Sequence, residues 1–187
     1  MKEREMGKLY FVRHGQSQWN VENKICGATD IPLTEKGYAQ ARETGAVLKE
    51  KIDSGEIHID QILASPLSRA SETAREISEM TGISMRIEEK LREQNFGRWE
   101  GTARDSRDFA LAKENFIDSY GGGESMFRMA QRIYNLLDDI TGEPEHTYLL
   151  VAHNGISRFI QSYFHDMTDE EFARFGVKNA AVYEFDF

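Results

Sequence analysis

The sequence predicts an α/β protein with a mostly parallel central sheet and helices on both faces, a three-layer α/β/α arrangement. Short apolar runs that suit buried strands alternate with longer segments whose apolar residues recur every three or four positions, as on one helix face. These helical segments are long enough to form the crossovers that parallel strands need. No repeat and no Pro/Gly/Ser-rich linker divides the 187 residues, so we expect one domain spanning 1–187.

Five apolar runs predict the strands of this sheet. The run "TYLLVA" is the most continuous, and "SMRIEE" is the weakest because its apolar residues are few. In chain order the predicted strands are LYFV (9–12), QILAS (61–65), SMRIEE (84–89), TYLLVA (147–152) and AAVYEFDF (180–187).

Helical periodicity fills most of the remaining chain. Thr34 is the expected N-cap of the first long helix, and a second helix is expected from about Ser68. Met126 opens a third amphipathic pattern, and a fourth follows the strand at 147–152. Near the C-terminus, "TDEEFARF" has the Thr…Glu spacing of a capping box. We expect the polar segment before Met126 to be irregular.

The charge of the chain limits its partners. The formal net charge is −9 and the sequence pI is about 5.1. Nucleic-acid binding rests on a basic field, so we expect no nucleic-acid partner. An anionic substrate would need a local cluster of positive charge that works against the overall sign.

Cys26 is the single cysteine, which excludes an internal disulfide and every multi-cysteine metal motif. The charged start "MKEREMGK" does not resemble a secretory signal, and no apolar run is long enough to span a membrane. We therefore expect a cytoplasmic protein with no membrane partner. The sequence does not determine the oligomeric state.

Cationic and titratable residues follow three of the predicted strands. Arg13 and His14 follow the first, Arg69 lies just beyond the second, and His153 follows the strand at 147–152. Ligands of open parallel sheets bind beyond the carboxyl ends of the strands, so these residues should meet at one edge, beside helix N-termini with free N–H groups. Two histidines and two arginines without acidic partners predict a dianion site, and phosphate is the common dianion.

The surrounding positive charge should affect the protonation and reactivity of the histidines. A positive pocket lowers the pKa of an imidazole, which leaves one ring nitrogen unprotonated and able to attack phosphorus. Arginines would neutralise the oxygens of the transferring group, and a carboxylic acid would protonate the leaving oxygen. Spacing alone leaves four candidates for that acid: Glu88, Glu89, Glu93 and Glu100.

Six blocks of the chain, in order, resemble the histidine phosphatase superfamily, also called the phosphoglycerate-mutase-like family. The Arg-His-Gly triplet alone is a weak signal, but the ordered series is strong. The blocks are VRHGQSQWN (12–20), GATDIPLTEKGYAQA (27–41), SPLSRASETA (65–74), LREQNFGRWEG (91–101), GGGES (121–125) and VAHNGISR (151–158).

The resemblance implies a role for each matching residue. His14 would be the phosphorylated nucleophile and Glu93 the proton donor and later the base, while Arg13, Arg69 and His153 would bind the phosphoryl oxygens. The resemblance also implies a small phosphate-ester substrate, no cofactor and no metal. Further phosphate-binding residues would be Asn20, Gln16, Ser17 and Asn154, the last of which stands where glycine is usual in the family.

Two branches of the family remain to be distinguished. Family mutases carry longer insertions after the glutamate block, whereas about twenty residues separate Gly101 from Gly121 here. A short, open lid should admit water and favour hydrolysis. The chain therefore resembles the phosphatase branch, which includes the α-ribazole and broad-specificity phosphatases. Ala28 and Gln94 depart from the usual pattern and leave the substrate undefined.

Other functions and plainer roles stay open at this stage. The protein could be a phosphoryl-transferring mutase, or a non-catalytic phosphate-binding module. Arg69 could lie on a helix surface, and Glu93 could pair with Arg92 or Arg98 in solvent. Cys26 does not suit a phosphatase nucleophile, because the residue six positions on is Pro32 rather than arginine.

Overall fold

The structure, a computed structural model, describes residues 7–187. Most of the charged N-terminal segment discussed above lies outside the described residues. The sheet contains five strands in the order β3-β2-β4-β1-β5, and only β5 runs antiparallel to its neighbour. The strands are β1 (Lys8–Arg13), β2 (Gln61–Ala64), β3 (Met85–Ile87), β4 (Tyr148–Ala152) and β5 (Val182–Asp186). The predicted, mostly parallel sheet is confirmed.

Helices fill the connections between the strands. All the predicted helices are present, but the segment expected to be irregular also contains α4 and two short 3-10 turns, Glu89–Leu91 and Gly97–Trp99. The helices are α1 (Gln18–Val21), α2 (Glu35–Asp53), α3 (Ser68–Thr81), α4 (Arg107–Ala112), α5 (Met126–Thr141), α6 (Asn154–Phe164) and α7 (Asp169–Arg174). The Thr34 cap on α2 and the capping box on α7 form as predicted.

Alternate residues of the central strands serve two separate cores. Leu9 and Phe11 of β1 pack in a cluster with α5 and α6, while Tyr10 and Val12 pack in a second cluster with α2 and α3. This division follows from the period of two in a strand, because successive side chains point to opposite faces. Helices therefore cover both faces of the sheet, as the continuous apolar runs predict.

The register of the sheet brings the three strand ends together. Arg13 of β1 pairs with Ala152 of β4, and Ala64 of β2 pairs with Val151. The residues that follow these pairs therefore leave the same edge of the sheet as neighbours. The C-terminal segment returns to this edge before β5 pairs with β1, since the Ala180 N–H donates to the Arg13 carbonyl at 2.8 Å.

Candidate active site

Two buried histidines face each other at this edge. The ring centroids of His14 and His153 are 5.2 Å apart, with an angle of 58° between the ring planes. Both side chains are buried. The pKa of each imidazole is well below its ordinary value, because burial disfavours the cation and the guanidinium groups of Arg69 and Arg13 add positive potential. Both rings are therefore neutral near neutral pH.

The His14 ring is fixed through its own loop. Its Nδ1 lies 2.6 Å from the Gly15 carbonyl oxygen, which can only accept, so Nδ1 carries the proton and Nε2 has the free lone pair. The Gly15 N–H donates to Thr73 Oγ1 at 3.0 Å. A Cβ at position 15 would lie 2.3 Å from the Gly37 carbonyl oxygen, so glycine is required for this close approach to α2.

His153 is oriented by a serine at the end of β2. Its Nε2 lies 2.7 Å from Ser65 Oγ, which also accepts from the Leu67 N–H at 3.3 Å. A hydroxyl that already accepts is suited to donate to Nε2, and this arrangement places the ring proton on Nδ1. That Nδ1 is buried and finds no hydrogen-bond partner among residues 7–187. It is available to donate to a bound anion.

Arg69 is fully buried on the first turn of α3. Its two terminal nitrogens donate to the carbonyls of Thr29 at 2.9 Å and Gly27 at 2.6 Å. The buried Nε has no partner within the described part of the chain. The helix-surface alternative for this arginine is therefore wrong, and the Nε–H of a fixed guanidinium remains for a ligand.

Glu100 holds the loop that binds Arg69. Its carboxylate accepts from the backbone N–H groups of Gly27, Ala28 and Phe96 at 3.1, 2.9 and 2.9 Å, and from the Thr29 hydroxyl at 2.8 Å. These bonds engage both carboxylate oxygens of this candidate acid. The role of Glu100 in the structure is to order residues 27–29 and, through them, Arg69.

Arg13 ends β1 on the other side of His14. One terminal nitrogen donates to the Val177 carbonyl at 2.7 Å, and the buried Nε lacks a partner among residues 7–187. Burial and the neighbouring Arg104 cation lower the pKa of Arg13 to about 10. Arg13, like Arg69, is held by backbone carbonyls and has an unused N–H.

Glu93 is the candidate acid that lies in the site. It is buried beside His14 in the cavity lining, and its oxygens accept from the backbone N–H groups of Gln94 and Gly155, both at 2.9 Å. Burial raises the pKa of this carboxyl above its ordinary value, against the lowering effect of the two amides. A Cβ at position 155 would lie 2.4 Å from Glu93 Oε1, so Gly155 makes room for the carboxylate.

The remaining acids and arginines of this block pair elsewhere. Glu89 binds Arg92 at 3.0 Å, and Glu88 caps a 3-10 turn while its carboxylate lies 3.3 Å from Arg86. Arg98 faces Asp118 at 3.7 Å. The alternative in which Glu93 pairs with Arg92 or Arg98 in solvent is therefore wrong.

The other predicted phosphate ligands divide into two pairs. Asn20 and Asn154 line the cavity; their Oδ1 atoms accept from the Ser17 and Val177 N–H groups at 3.0 and 2.9 Å, which leaves each amide nitrogen for a ligand. Gln16 and Ser17 are not part of the cavity lining. The Gln16 Oε1 instead accepts from Thr34 Oγ1 at 3.0 Å, at the start of α2.

The backbone N–H groups at the helix N-termini of this edge are not all free, in contrast to the expectation. The first-turn amide of Gly155 in α6 donates to Glu93, and that of Ser68 in α3 donates to Asp30 Oδ1 at 2.7 Å. The expectation of free amides is wrong at these two positions, because carboxylates from distant loops occupy them. Side chains therefore provide most of the donors available to an anion.

Residues of the loops and of α4, α6 and α7 complete a cavity of about 130 Å³. Three cations, Arg104, Lys113 and Arg158, join the lining. Aromatic walls accompany them: Phe96, Phe109, Phe159 and Phe172. Arg104 and Lys113 belong to segment 102–120, which contains no recognisable motif. Only the folded structure therefore shows that they line the cavity.

Residues 7–187 contain neither a metal-binding cluster nor a membrane-spanning helix. No group of three or more His, Cys, Asp or Glu side chains among residues 7–187 is placed to hold a metal ion. Within the same range, no helix has the length and apolarity needed to cross a membrane.

Comparison with known proteins identifies the family. A family model described as the histidine phosphatase superfamily, branch 1, matches residues 9–187. The chain belongs to this superfamily. The resemblance inferred from the six sequence blocks is confirmed, and the protein is an enzyme of the histidine phosphatase family.

Relatives of this histidine phosphatase have more than one named activity. A probable phosphoglycerate mutase of Erwinia tasmaniensis is 33% identical over 81% of this chain and 71% of its own length. A putative phosphoserine phosphatase 2 of Hydrogenobacter thermophilus is 34% identical over 80% of this chain and 74% of its own. A solved mycobacterial glucosyl-3-phosphoglycerate phosphatase has a TM-score of 0.80 and 28% identity, covering 97% of this chain and 90% of that one.

Proposed function

We propose that the protein is a metal-independent phosphomonoesterase that acts on a small phosphorylated metabolite through a phosphohistidine at His14. The observation that carries the proposal is the state of the His14 ring. Its Nδ1 is committed to the Gly15 carbonyl, its pKa is lowered by burial and two arginines, and its Nε2 has a free lone pair at the cavity. A neutral, oriented imidazole in a positive pocket is suited to attack phosphorus.

In the first step, His14 Nε2 would form a bond to phosphorus while the ester P–O bond breaks. The donors without protein partners, Nε of Arg13 and Arg69 and Nδ1 of His153, would bind the three equatorial oxygens. Glu93 would enter this step protonated, which its raised pKa favours, and give its proton to the leaving alkoxide. The products would be the free alcohol, phospho-His14 and ionised Glu93.

In the second step, water would replace the alcohol. Ionised Glu93 would take a proton from that water as its oxygen bonds to phosphorus and the P–N bond breaks. Inorganic phosphate would leave, with His14 again neutral and Glu93 again protonated. The backbone amides of Gln94 and Gly155 keep the carboxylate in place for both steps.

Hydrolysis is favoured over transfer back to the substrate by the segment after Gly101. Arg104 lies at the cavity lining and is exposed, so water reaches the cavity mouth past this residue. The mycobacterial phosphatase noted above has also been solved with VO3 and with inorganic phosphate. The relative named as a probable phosphoglycerate mutase keeps phosphoryl transfer as the second candidate function.

We also propose that the whole chain forms one catalytic domain in the cytoplasm. The family match over residues 9–187 supports the single domain, and the single cysteine supports a reducing compartment.

Replacing the nucleophile tests the proposal. In His14→Ala, p-nitrophenyl phosphate hydrolysis should fall by at least about 10⁴-fold, since the covalent route is lost. The matched control His146→Ala, at an exposed position, should keep wild-type activity. Excess chelator should leave the wild type unchanged, and acid quench should trap an acid-labile phosphoprotein. Activity that survives in His14→Ala or that chelator removes would contradict the proposal.

Incubation with 3-phosphoglycerate separates the two candidate reactions. Phosphate release should outpace formation of the 2-phospho isomer. Isomer formation faster than phosphate release would replace the phosphatase with the mutase.

A further inference from the structure

The outer part of the cavity holds positive charge that phosphate transfer does not use. Lys113 and Arg158 line it where it meets an adjoining cavity, and Arg104 lies near Arg13. None of these three cations forms an ion pair with a carboxylate among residues 7–187. Most other basic side chains of the described surface do find such partners. The outer cations are therefore without an ion-pair partner in the described chain, and Glu114, Asp169 and Glu170 line only the adjoining cavity.

Lys113 and Arg158 stand close enough to repel each other. Burial lowers the pKa of Lys113, and the neighbouring cations Arg158 and Arg104 lower it further. The Lys113 ammonium lies 5.0 Å from the centroid of the Phe109 ring. Gathering like charges against aromatic walls costs free energy unless an anion neutralises them.

Arg158 is held in place for such a contact. Its Nε donates to the Phe175 carbonyl at 2.9 Å, and this hydrogen bond fixes the guanidinium group. Its two terminal nitrogens have no partner among the hydrogen bonds of the described chain. A planar fork with both terminal nitrogens free matches a carboxylate, or the oxygens of a second phosphate.

These two cations also lie between two cavities. Lys113 and Arg158, with Met126 and Phe172, line both the catalytic cavity and an adjoining cavity of about 460 Å³. They therefore lie at the outer limit of the catalytic cavity rather than around the His14 ring. An anion bound here would be a different group from the phosphate that is transferred.

We propose that Lys113 and Arg158 form a specificity site for a second anionic group on the substrate, so that the enzyme prefers phosphomonoesters that also carry a carboxylate. The inference rests on the proposed phosphatase function and deepens it. The aromatic side chains beside these cations lower the local dielectric and strengthen each charge-assisted contact. The adjoining cavity leaves room for a larger substituent beyond the second anion.

A pair of substrates that differ only at the second anion tests this inference. 3-Phosphoglycerate and glycerol 3-phosphate differ by a carboxylate in place of a hydroxymethyl group. The wild type should favour 3-phosphoglycerate in kcat/KM for phosphate release by on the order of 10- to 100-fold, the usual range for one desolvated charge-assisted contact. A preference near unity in an enzyme that hydrolyses both esters would overturn the inference and leave the proposed function standing.

Variants of Lys113 and Arg158 test whether these two cations cause the substrate preference. Lys113→Met and Arg158→Met should each lower the substrate ratio several-fold, and Lys113→Glu should reverse it by repelling the carboxylate. The Lys113 side chain forms no hydrogen bond within the described residues, so its variants keep the test valid if Arg158→Met misfolds. Lys49→Met, which removes an exposed lysine paired with Asp53 on α2, should keep the wild-type ratio. A ratio that both Lys113 variants leave unchanged would overturn the assignment.

Binding without turnover separates this inference from the phosphatase proposal. Calorimetry on His14→Ala should show tighter binding of 3-phosphoglycerate than of glycerol 3-phosphate by a similar factor. If that binding preference persists while the wild type hydrolyses neither ester nor p-nitrophenyl phosphate, the proposed function fails and the second-anion site stands. Equal affinities would overturn the site whatever the catalytic result.

Discussion

The two ends of the catalytic cavity are built by different means. At the inner end, backbone carbonyls, backbone amides and buried hydroxyls hold the functional side chains, and Nε of Arg13 and Arg69 and Nδ1 of His153 are left without a partner among residues 7–187. At the outer end, Lys113 and Arg104 extend from a segment of short turns, and large apolar side chains such as Ile117 are exposed. The inner end is thus preorganised for one reaction, while the outer end can vary without disturbing it.

Arg69→Lys should show the largest effect of changing the inner end. The ammonium cannot reach the Thr29 and Gly27 carbonyls and also present a third N–H to phosphate. We expect kcat/KM to fall on the order of 10³-fold and the melting temperature to drop. Arg75→Lys, on the exposed face of the same helix, is the control and should change neither value. A loss below about tenfold would contradict preorganisation at Arg69.

Glu93→Gln should reduce hydrolysis of alkyl phosphates by on the order of 10²- to 10³-fold, because no proton reaches the leaving alkoxide. Release of nitrophenolate in a first turnover should fall much less, since that leaving group needs no proton. Glu89→Gln, at an exposed acid, is the matched control.

The pH profile of kcat/KM gives a second readout for Glu93. Burial raises the pKa of Glu93, so the protonated acid persists above the ordinary range and activity falls only as pH rises through that raised value. The pKa of His14 lies below the ordinary imidazole value of 6.5, so the nucleophile stays neutral at pH values below 6.5. Activity therefore extends into the acid range. Glu93→Gln should lose the alkaline limb and keep the acid limb; an unchanged alkaline limb would point to another acid.

Ser65→Ala should have an intermediate effect. Without the hydroxyl, His153 Nε2 loses its partner and the ring no longer has a fixed tautomer. We expect phosphate affinity to weaken by about tenfold and the ¹⁵N shifts of His153 to show mixed tautomers. Ser78→Ala removes a hydroxyl that donates to the Ile83 carbonyl at the far end of α3 and should leave both readouts unchanged. A single, unaltered tautomer in Ser65→Ala would contradict this role.

Ile117→Ser should have the smallest effect. The side chain is 75% exposed in the outer segment. The free energy of unfolding in urea should change by less than about 0.5 kcal/mol, and kcat/KM should not change. A loss above about 1 kcal/mol would show that the outer segment is as tightly built as the inner end.

The sequence predicts the inner end of the catalytic cavity better than the outer end. Apolar periodicity locates every strand, and in a parallel sheet the ends of neighbouring strands share one edge, so His14, Arg69 and His153 could be placed together in advance. The choice of Glu93 over Glu100 could not be made from spacing. Glu93 meets the Gly155 amide across the fold, whereas Glu100 binds a loop 71 to 73 positions earlier, and both contacts depend on tertiary structure.

Loop conformation accounts for most of the remaining differences. Gln16 lies next to the nucleophile loop in sequence, but its side chain contacts Thr34 because Gly15 and Gly37 bring α2 against that loop. Lys113, which follows α4, and Arg158 of α6 reach one cavity although they are 45 positions apart in the chain. No local pattern encodes such a meeting, since loop paths follow from packing rather than periodicity.

The contacts of the C-terminal segment have a consequence for synthesis in the cell. Asn179 donates to the His14 carbonyl at 2.8 Å, and Val177 accepts from Arg13 at 2.7 Å. A ribosome makes residue 14 well before it makes residues 177 and 179. The strand end that carries the nucleophile therefore lacks these two contacts until the segment around residues 177–179 has left the exit tunnel.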